Sequence, residues 1–330
     1  MSEPCPAVDT QTPTPTPPWV AKPAVSIVTA VDFTYQGSRT MQNLKATMAA
    51  LAAQDFEGPL EFLLVESSER VAEVPPELTH ILPSLKILDF PLSTSYELMN
   101  AGARAAAADI VAFVDGDCVP APDWIRRLVD ALRAHPEAVG VSGLTLYEGD
   151  RFRDRVMGLL SRSYPDPGGP GPTRFFCNNN GGMRREVWLR HPLPSGAGPY
   201  ASRLQTEAIW RTGGRFEFEP RMRLVHDYEG WDMERDIRRH HGFSTVITRR
   251  MDAAIPYAWL VRLGYAGIPI IVVAKTLDNW ADCLRCAGHY RVRWYEVPLA
   301  MALSGVLHLL EIPGMIRAFR GRPITCTKYR

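Results

Sequence analysis

The sequence predicts an α/β protein with a mainly parallel central sheet. From about residue 24, apolar β-branched runs typical of buried strands alternate with amphipathic stretches typical of helices. One run, residues 109–118, ends in two aspartates separated by a glycine, Asp115 and Asp117. Because ligands in open α/β sheets bind beyond the carboxyl ends of the strands, this run also predicts where a functional site lies.

The elements before and after the aspartate pair follow the same alternation. Thr94 and Glu97 have the spacing of a capping box at the start of an alanine-rich helix. After the aspartates, Pro122 and Asp123 suit the first turn of another helix. Strands that alternate with helices imply right-handed crossovers and parallel pairing. In chain order we predict a strand over 25–31, a helix over 41–53, strands over 61–65 and 85–90, a helix up to 108, and an amphipathic helix over 124–132.

Composition excludes some functions. The 330 residues carry a net charge of +1, so nothing indicates a nucleic-acid groove, and we expect no nucleic-acid partner. The six cysteines are scattered, which fits reduced thiols in a cytosolic compartment. Cys283 and Cys286 have zinc or redox spacing but lack a second pair nearby, and we interpret them as two residues on one helix.

The chain divides by composition into three parts. Residues 1–22 are rich in Pro and Thr and predict a disordered leader without the features of a secretory signal. Residues 23–248 form the α/β domain, and residues 249–330 a helical, apolar appendage. Its uncharged stretches, 263–274 and 297–310, are shorter than the ~20 residues that a spanning helix needs. They indicate either helices at a membrane interface or helices buried against the domain or a second subunit.

The aspartate pair has two interpretations from the residues alone. Two carboxylates at the end of a buried strand form a poor core, but they are good ligands for a hard divalent cation that also binds phosphate oxygens. The alternative is a polar turn after a strand, where Asp and Gly are common.

Several segments together resemble the family 2 glycosyltransferases. The aspartate pair is similar to the Asp-x-Asp motif of that family, and the resemblance covers about residues 24 to 230. The other matching segments, in the family's order, are 25–30, 51–54, 61–66, 100–111, 180–185 and 224–226. The resemblance implies a GT-A-type nucleotide-binding sandwich and a divalent metal, Mg²⁺ or Mn²⁺. It also implies an enzyme that transfers a sugar, with inversion, from a nucleotide sugar to an acceptor hydroxyl.

The resemblance implies a metal site at the aspartate pair. Asp117 is the expected direct ligand, and Asp115 is expected to share the task by orienting the ribose or a metal-bound water. His226 is a candidate third ligand, because it matches a histidine on a late strand of the family. The alternative for His226 is a purely structural histidine.

The resemblance also implies a nucleotide pocket. Thr29, Asp32 and Glu66, at the ends of the first two strands, are expected to contact the nucleotide, together with Asn100 and Asp115. Glu66 stands where the family usually has Asp, and Asp32 where it commonly has a Tyr-Asn pair. Arg184 and Arg185 either cradle phosphate or cap a helix.

The general base is assigned by position. The family usually carries a Glu-Asp pair whose Asp takes the acceptor proton, and Glu207 is the carboxylate at the corresponding place here. The alternative is that Glu207 only favours the helix dipole near an N-terminus. Asp227 and Glu229 are the reserve candidates for the base. The turn-rich segments 161–172 and 191–199 are either lids over bound ligand or plain surface connections.

These inferences predict an enzyme of glycan, polysaccharide or glycolipid synthesis. We expect a glycan or lipid-linked acceptor and a cytoplasmic protein resting peripherally on the inner face of the cell membrane. A nucleotidyltransferase is the first alternative, although no glycine-rich loop follows the first strand. A non-catalytic relative that binds nucleotide or glycan is the second, because the Glu-Asp pair is missing.

Overall fold

The computed structural model describes residues 22–31, 38–92, 94–228 and 230–324. The leader up to residue 21, Asp32 and Glu229 lie outside the described residues. The strands are β1 (Val25–Ala30), β2 (Leu60–Ser67), β3 (Leu85–Phe90), β4 (Ile110–Asp115), β5 (Cys118–Pro120), β6 (Ala138–Tyr147), β7 (Gly171–Thr173), β8 (Asn180–Arg184) and β9 (Arg215–His226). The helices are α1 (Ser38–Ala52), α2 (Leu78–Ile81), α3 (Ser95–Ala105), α4 (Trp124–Ala134), α5 (Phe152–Arg162), α6 (Arg185–Arg190), α7 (Ala201–Arg211), α8 (Trp231–Met251), α9 (Gly267–Cys286), α10 (Val297–Leu309) and α11 (Ile312–Phe319).

All described strands belong to one sheet, with the order β3-β2-β1-β4-β8-β6-β9-β5 and β7 paired to β9. The half from β3 to β4 is parallel, as predicted. In the other half β8 runs antiparallel to β4 and β6, β9 is parallel to β6, and β5 and β7 are antiparallel to β9. The α/β class is therefore confirmed. The antiparallel additions are strands of three to five residues, too short to show a pattern in the sequence.

The strand register brings the predicted site to one edge of the sheet. Ala30 at the end of β1 lies opposite both Val65 of β2 and Asp115 of β4. The three strands therefore end side by side. Helices cover both faces: Leu44 and its neighbours on α1 pack against one face, and Leu98 on α3 packs against the other.

Two helix starts show how local chemistry sets the boundaries. The Thr94 hydroxyl accepts a hydrogen bond from the Glu97 amide at 3.3 Å, so Thr94 caps the helix, while the Glu97 carboxylate accepts from the Thr94 hydroxyl at 2.8 Å and does not complete the box. The helix then ends at Ala105, earlier than predicted. Helix α4 begins at Trp124, so Asp123 is the N-cap residue and not part of the first turn. Its carboxylate accepts from Arg127 Nε at 2.8 Å, and it does not cap the helix.

The C-terminal helices pack closely on the rest of the chain. Helix α8 crosses α11 at two glycines: a Cβ on Gly242 would lie 1.9 Å from the Glu311 carbonyl oxygen, and one on Gly314 would lie 1.9 Å from that of Arg239. Only glycine permits this approach. Cys283 and Cys286 of α9 are buried in one core cluster with residues of α5 and β6, which confirms their interpretation as neighbours on a helix. The boundary at residue 248 stays a prediction.

The prediction that the C-terminal apolar stretches are too short to span a membrane is wrong. Two helical segments, Ala258–Cys286 with 29 residues and Trp294–Phe319 with 26, are long and apolar enough to cross a membrane, judged by length and composition alone. The uncharged stretches predicted from the sequence are shorter than these helical segments, because the segments continue through flanking polar residues. Only 28% and 39% of the two apolar windows are buried, and Leu284 and Trp294 are 70% and 85% exposed.

Candidate functional site

The turn after β4 is fixed by close packing. The Gly116 amide donates to the Ala30 carbonyl at 3.0 Å, and the Thr47 hydroxyl donates to the Gly116 carbonyl at 3.1 Å. A Cβ on Gly116 would lie only 3.0 Å from a Val31 methyl group and 3.2 Å from one of Leu44. The glycine therefore lets the turn lie against β1 and α1, with one aspartate on either side of it.

The aspartates form a cluster with a histidine, as the resemblance implies. The ligand atoms of Asp115, Asp117, Cys118 and His226 all lie within 4.8 Å of one another, and all four residues are buried. Asp117 Oδ2 is 3.5 Å from His226 Nε2. His226 takes this position because β9 pairs it with Cys118 of β5 on one side and with Tyr147 of β6 on the other.

The protonation states suit a cation. His226 Nδ1 lies 2.6 Å from the Asp227 carbonyl oxygen and donates to it, which leaves the Nε2 lone pair facing Asp117. Burial, assisted by the charge of Arg162, lowers the pKa of His226 to about 3, so the imidazole is neutral. Burial raises the pKa of Asp117 to about 6.

The donor set fits a divalent metal. Asp117 Oδ2 is buried and accepts no hydrogen bond from any described residue. Two carboxylates and a neutral imidazole are ligands that Mg²⁺ or Mn²⁺ accepts. Burial raises the pKa of the Cys118 thiol well above its usual value, and the protonated thiol donates to Asp117 Oδ1 at 3.6 Å. The Cys118 thiol thus hydrogen-bonds the carboxylate that the resemblance implies as the metal ligand.

A cavity of about 630 Å³ opens from this cluster toward the C-terminal helices. Asp115, Asp117 and His226 line one part of it, and side chains of α7, α8, α9 and α10 line other parts. Asn178 Oδ1 and Asn179 Nδ2 are buried along it without partners in the described ranges, so both amides are available to a ligand. The sequence analysis missed these asparagines, although the run of three from 178 to 180 was a visible signal.

Arg162 is a second residue that the sequence analysis missed. It lines the cavity, with its guanidinium carbon 5.7 Å from the centre of the Tyr147 ring. Its Nε is buried without a hydrogen-bond partner among the residues that the structure describes. Among charged groups, it has the strongest influence on the pKa values of Asp117 and His226. Its only signal was its place at the start of the turn-rich segment 161–172, which lies against the cavity.

Of the described residues expected to contact the nucleotide, Asp115 lines this cavity, whereas Thr29, Glu66 and Asn100 do not. Thr29 and Glu66 are both buried, and Glu66 Oε1 accepts from the Ser67 amide at 2.7 Å. Asn100 is directed elsewhere: its amide donates to the Leu193 carbonyl at 2.8 Å and accepts from Trp188 Nε1 at 3.0 Å. These bonds join α3 to α6 and the segment after it. The nucleotide contacts of all three residues stay predictions.

Glu207 lies beside the cavity in the middle of α7. The helix begins at Ala201, so the helix-dipole alternative does not apply. Glu207 Oε1 accepts from Arg174 Nη2 at 2.7 Å, and Arg174 lines the cavity. Of the reserve candidates, Asp227 lines the cavity, and its Oδ2 accepts from Asn43 at 3.0 Å.

The basic pair after β8 has a structural role. Arg184 donates to the carbonyls of Pro136 and Ala138, at 2.9 and 3.2 Å. Arg185 donates to those of Ala103 and Arg104, at 2.9 and 2.7 Å. Neither arginine lines the cavity, so the structure favours capping over phosphate binding.

Comparisons with known proteins agree with this architecture. Residues 38–189 match the family model described as glycosyl transferase family 2. The chain is 32% identical over 121 residues to a glucosyl-dolichyl phosphate glucuronosyltransferase of Haloferax volcanii, covering 35% of this chain and 37% of the relative. It is 25% identical over 154 residues to the glycosyltransferase AglE of the same organism, covering 46% of this chain and 45% of that protein. The chain thus spans less than half the length of these curated relatives.

A solved structure shares the fold. It is the mannosyltransferase PcManGT from Pyrobaculum calidifontis in complex with GDP-Man and Mn²⁺, with a TM-score of 0.58 and 18% identity. The similarity covers 92% of this chain and 88% of that one. At this identity it shows the fold alone. The family match over residues 38–189, the aspartate pair at the end of β4 and this shared fold together support a family 2 glycosyltransferase domain of the GT-A type.

Proposed function

We propose that the protein transfers a sugar, with inversion, from a nucleotide-sugar donor to a hydroxyl of a glycan or lipid-linked acceptor. The observation that carries the proposal is the buried cluster of Asp115, Asp117 and His226 that lines a cavity of about 630 Å³. A bound Mg²⁺ or Mn²⁺ would act there as a Lewis acid toward the donor's diphosphate. The names of the relatives, all sugar transferases, agree with this class of reaction.

In this proposal the chain's own residues have distinct tasks. Asp117 and His226 hold the metal, and Asp115 orients the ribose or a water on the metal. Thr29 and Glu66 contact the nucleoside at the ends of β1, which lies beside β4, and of β2, which lies beside β1. Arg162, whose Nε is buried without a described partner, donates hydrogen bonds to the departing diphosphate or the transferred sugar.

Asp32 and Asn100 complete the nucleotide pocket that we propose. Asp32 follows Val31 directly, so it is near the end of β1 in sequence, although it lies outside the described residues. Asn100 would support the pocket without touching the nucleotide, since its side-chain amide already forms hydrogen bonds with Leu193 and Trp188.

Glu207 is the proposed general base. Its neighbours on α7, Arg203 and Thr206, line the cavity, and Arg174 holds one of its carboxylate oxygens. A base of this kind contributes ~10²–10⁴-fold to transfer and nothing to donor binding. Comparing Glu207→Gln with Asp227→Asn assigns the role: the base variant loses transfer while its KM for the donor is unchanged. If only Asp227→Asn behaves in this way, Asp227 is the base.

The C-terminal helices are the proposed site of contact with the inner face of the cell membrane. Large apolar side chains are exposed on them, among them Leu284, Trp294 and Leu299 at 70%, 85% and 58%. Arg285, Arg291 and Arg293 lie in the same part of the chain, and such residues gain ~1 kcal/mol each near an anionic leaflet. A lipid-linked acceptor fits this position, as does the glucosyl-dolichyl phosphate in the name of one relative.

A panel of nucleotide sugars tests the proposal. The purified chain is incubated with each donor and Mn²⁺ or Mg²⁺, and the release of nucleoside diphosphate is measured with and without a lipid-linked acceptor. We expect one donor to be hydrolysed slowly and metal-dependently, and faster with an acceptor that carries a free sugar hydroxyl, such as glucosyl-dolichyl phosphate; dolichyl phosphate alone, which has no such hydroxyl, serves as the control. Release of pyrophosphate from nucleoside triphosphates would identify a nucleotidyltransferase. Donor binding without any turnover would favour a non-catalytic relative. That relative is the second candidate, because Glu207, the proposed base, is already paired with Arg174.

A further inference from the structure

The cavity contains an arginine that has no anionic partner. Arg203 of α7 lines the cavity and forms no hydrogen bond or ion pair with any residue that the structure describes. Its guanidinium carbon lies 5.1 Å from the centre of the Phe175 ring, and its Nε is buried. The ring covers one face of the guanidinium, while the five N–H donors lie in the guanidinium plane. These donors are unused.

A second arginine lies within electrostatic reach of the first. Arg249 of α8 is buried, donating from Nε to the Pro256 carbonyl at 2.9 Å and from Nη1 to the Thr245 carbonyl at 3.0 Å. Nη2 takes part in neither bond. Burial and then the positive charge of Arg203 lower the pKa of Arg249 to about 10. Burial also lowers the pKa of Arg203. Both arginines line the same cavity, so an anion that enters it can meet two guanidinium groups.

The carboxylates of Glu207 and Asp278, whose charges act on Arg203, form their hydrogen bonds with other residues. Glu207 accepts from Arg174 at 2.7 Å, and Asp278 accepts from the Tyr257 hydroxyl at 3.2 Å. Neither forms an ion pair with Arg203 within the described ranges. The two arginines therefore provide a positive subsite for a ligand.

The subsite adjoins the exposed apolar helices. Pro256, whose carbonyl accepts from Arg249, lies two residues before the 3-10 segment Ala258–Ala266. Trp259 and Leu263 on that segment are 61% and 48% exposed. An anion that carries an apolar chain could thus bind the two arginines through its charge and contact the neighbouring 3-10 segment through its chain.

We propose that Arg203 and Arg249 bind the phosphate group of a lipid-linked acceptor. The proposal rests on the proposed function and specifies its acceptor class. A phosphate offers three acceptor oxygens in the geometry that a guanidinium fork binds in pairs. The subsite positions the acceptor from the side of the C-terminal helices, while the aspartate cluster lies at the strand ends of the same cavity.

Binding to vesicles tests the proposal without donor or turnover. The full chain is sedimented with phosphatidylcholine vesicles that contain dolichyl phosphate or, as the matched control lipid, dolichol. We expect wild type to prefer the phosphate-bearing lipid, and Arg203→Gln to lose about 10- to 100-fold of that preference, the range for hydrogen bonds to a charged group. Arg203→Lys keeps the charge and should retain part of it. Arg190→Gln, which alters an exposed pair with Glu186 on α6, should behave as wild type.

Each outcome decides for or against the subsite. Equal binding of both lipids by wild type, or an equal loss for both lipids in Arg203→Gln, would overturn it. Inorganic phosphate distinguishes the sources of the anion: if free phosphate stabilises wild type as strongly as dolichyl phosphate does, the site binds a free anion and the lipid proposal is wrong. A rise in KM for the nucleotide sugar alone would assign Arg203 to the donor. The proposed function can fail independently, since a chain that never transfers sugar can still discriminate between the two lipids.

Discussion

Glu311→Gln should strongly destabilise the packing of the C-terminal helices. Glu311 is fully buried between α10 and α11, forms an ion pair with Lys275 of α9, and accepts from His308 Nδ1 at 3.1 Å. Arg238 Nη1 of α8 is 3.8 Å away. Removing one partner of a buried ion pair leaves the other charge uncompensated, which costs about 3–5 kcal/mol. Since a folded protein is stable by only ~5–15 kcal/mol, the loss is large.

The loss of stability in Glu311→Gln should depend on pH. The pKa of Glu311 in the folded protein is well below its usual value, because the charges of Lys275 and Arg238 and the bond from His308 outweigh its burial. A depressed folded-state pKa contributes stability above the unfolded-state pKa of ~4.3, and that contribution is lost as the pH falls. We therefore expect the full difference between wild type and Glu311→Gln at pH 7 and a smaller one below about pH 4.

Thermal unfolding, followed by circular dichroism at pH 7 and at low pH, measures both expectations. The matched control is Glu186→Gln, because Glu186 and Arg190 form an exposed pair whose side chains are 71% and 64% accessible. Such a pair contributes ~0–1 kcal/mol. If Glu311→Gln unfolds with the control at pH 7, or if its deficit is independent of pH, the reasoning about this buried network is refuted.

Three further predictions concern the site and the membrane. Asp117→Asn should lower sugar transfer by about 100-fold or more, because it removes the charge of the proposed metal ligand, whereas Asp109→Asn, at the exposed start of the same run, should not. Normal metal-dependent turnover by Asp117→Asn would place the metal elsewhere. Glu207→Gln should lose ~10²–10⁴-fold in kcat at an unchanged KM for the donor, and an unchanged kcat would remove it from the chemistry. Replacing Leu284 and Trp294 by Ser should reduce sedimentation with anionic vesicles; equal sedimentation would contradict membrane contact by these side chains.

The parallel half of the fold could be predicted from local pattern. A strand buried on both faces, such as β4, reads as a continuous apolar run, and its end is marked by Asp115. Register then follows from the parallel topology, so the strand ends meet without further information. The antiparallel strands β5, β7 and β8 could not be predicted in this way, because their pairing is determined by distant partners.

The site could be predicted only in part, because some of its contacts depend on strands that are distant in the sequence. His226 was found through a family resemblance, and its contact with Asp117 depends on the pairing of β5 with β9, which no local pattern encodes. Arg203 and Arg249 gave no signal, because an arginine on a helix is usually solvated. Their significance lies in their shared cavity, in the burial of Arg249 and in the unbonded Nε of Arg203, which only the packed structure reveals.

The measurement that tests the central claim most directly is Mn²⁺ binding in the presence of a nucleoside diphosphate. Isothermal titration calorimetry of wild type, Asp117→Asn and Asp109→Asn reports the affinity and stoichiometry of the metal without requiring a donor sugar or an acceptor. We predict one Mn²⁺ per chain in wild type and in Asp109→Asn, with binding at least about tenfold weaker in Asp117→Asn. Equal Mn²⁺ affinity in all three proteins, or no nucleotide-dependent binding in wild type, would contradict the assignment of the aspartate cluster as the metal and donor site.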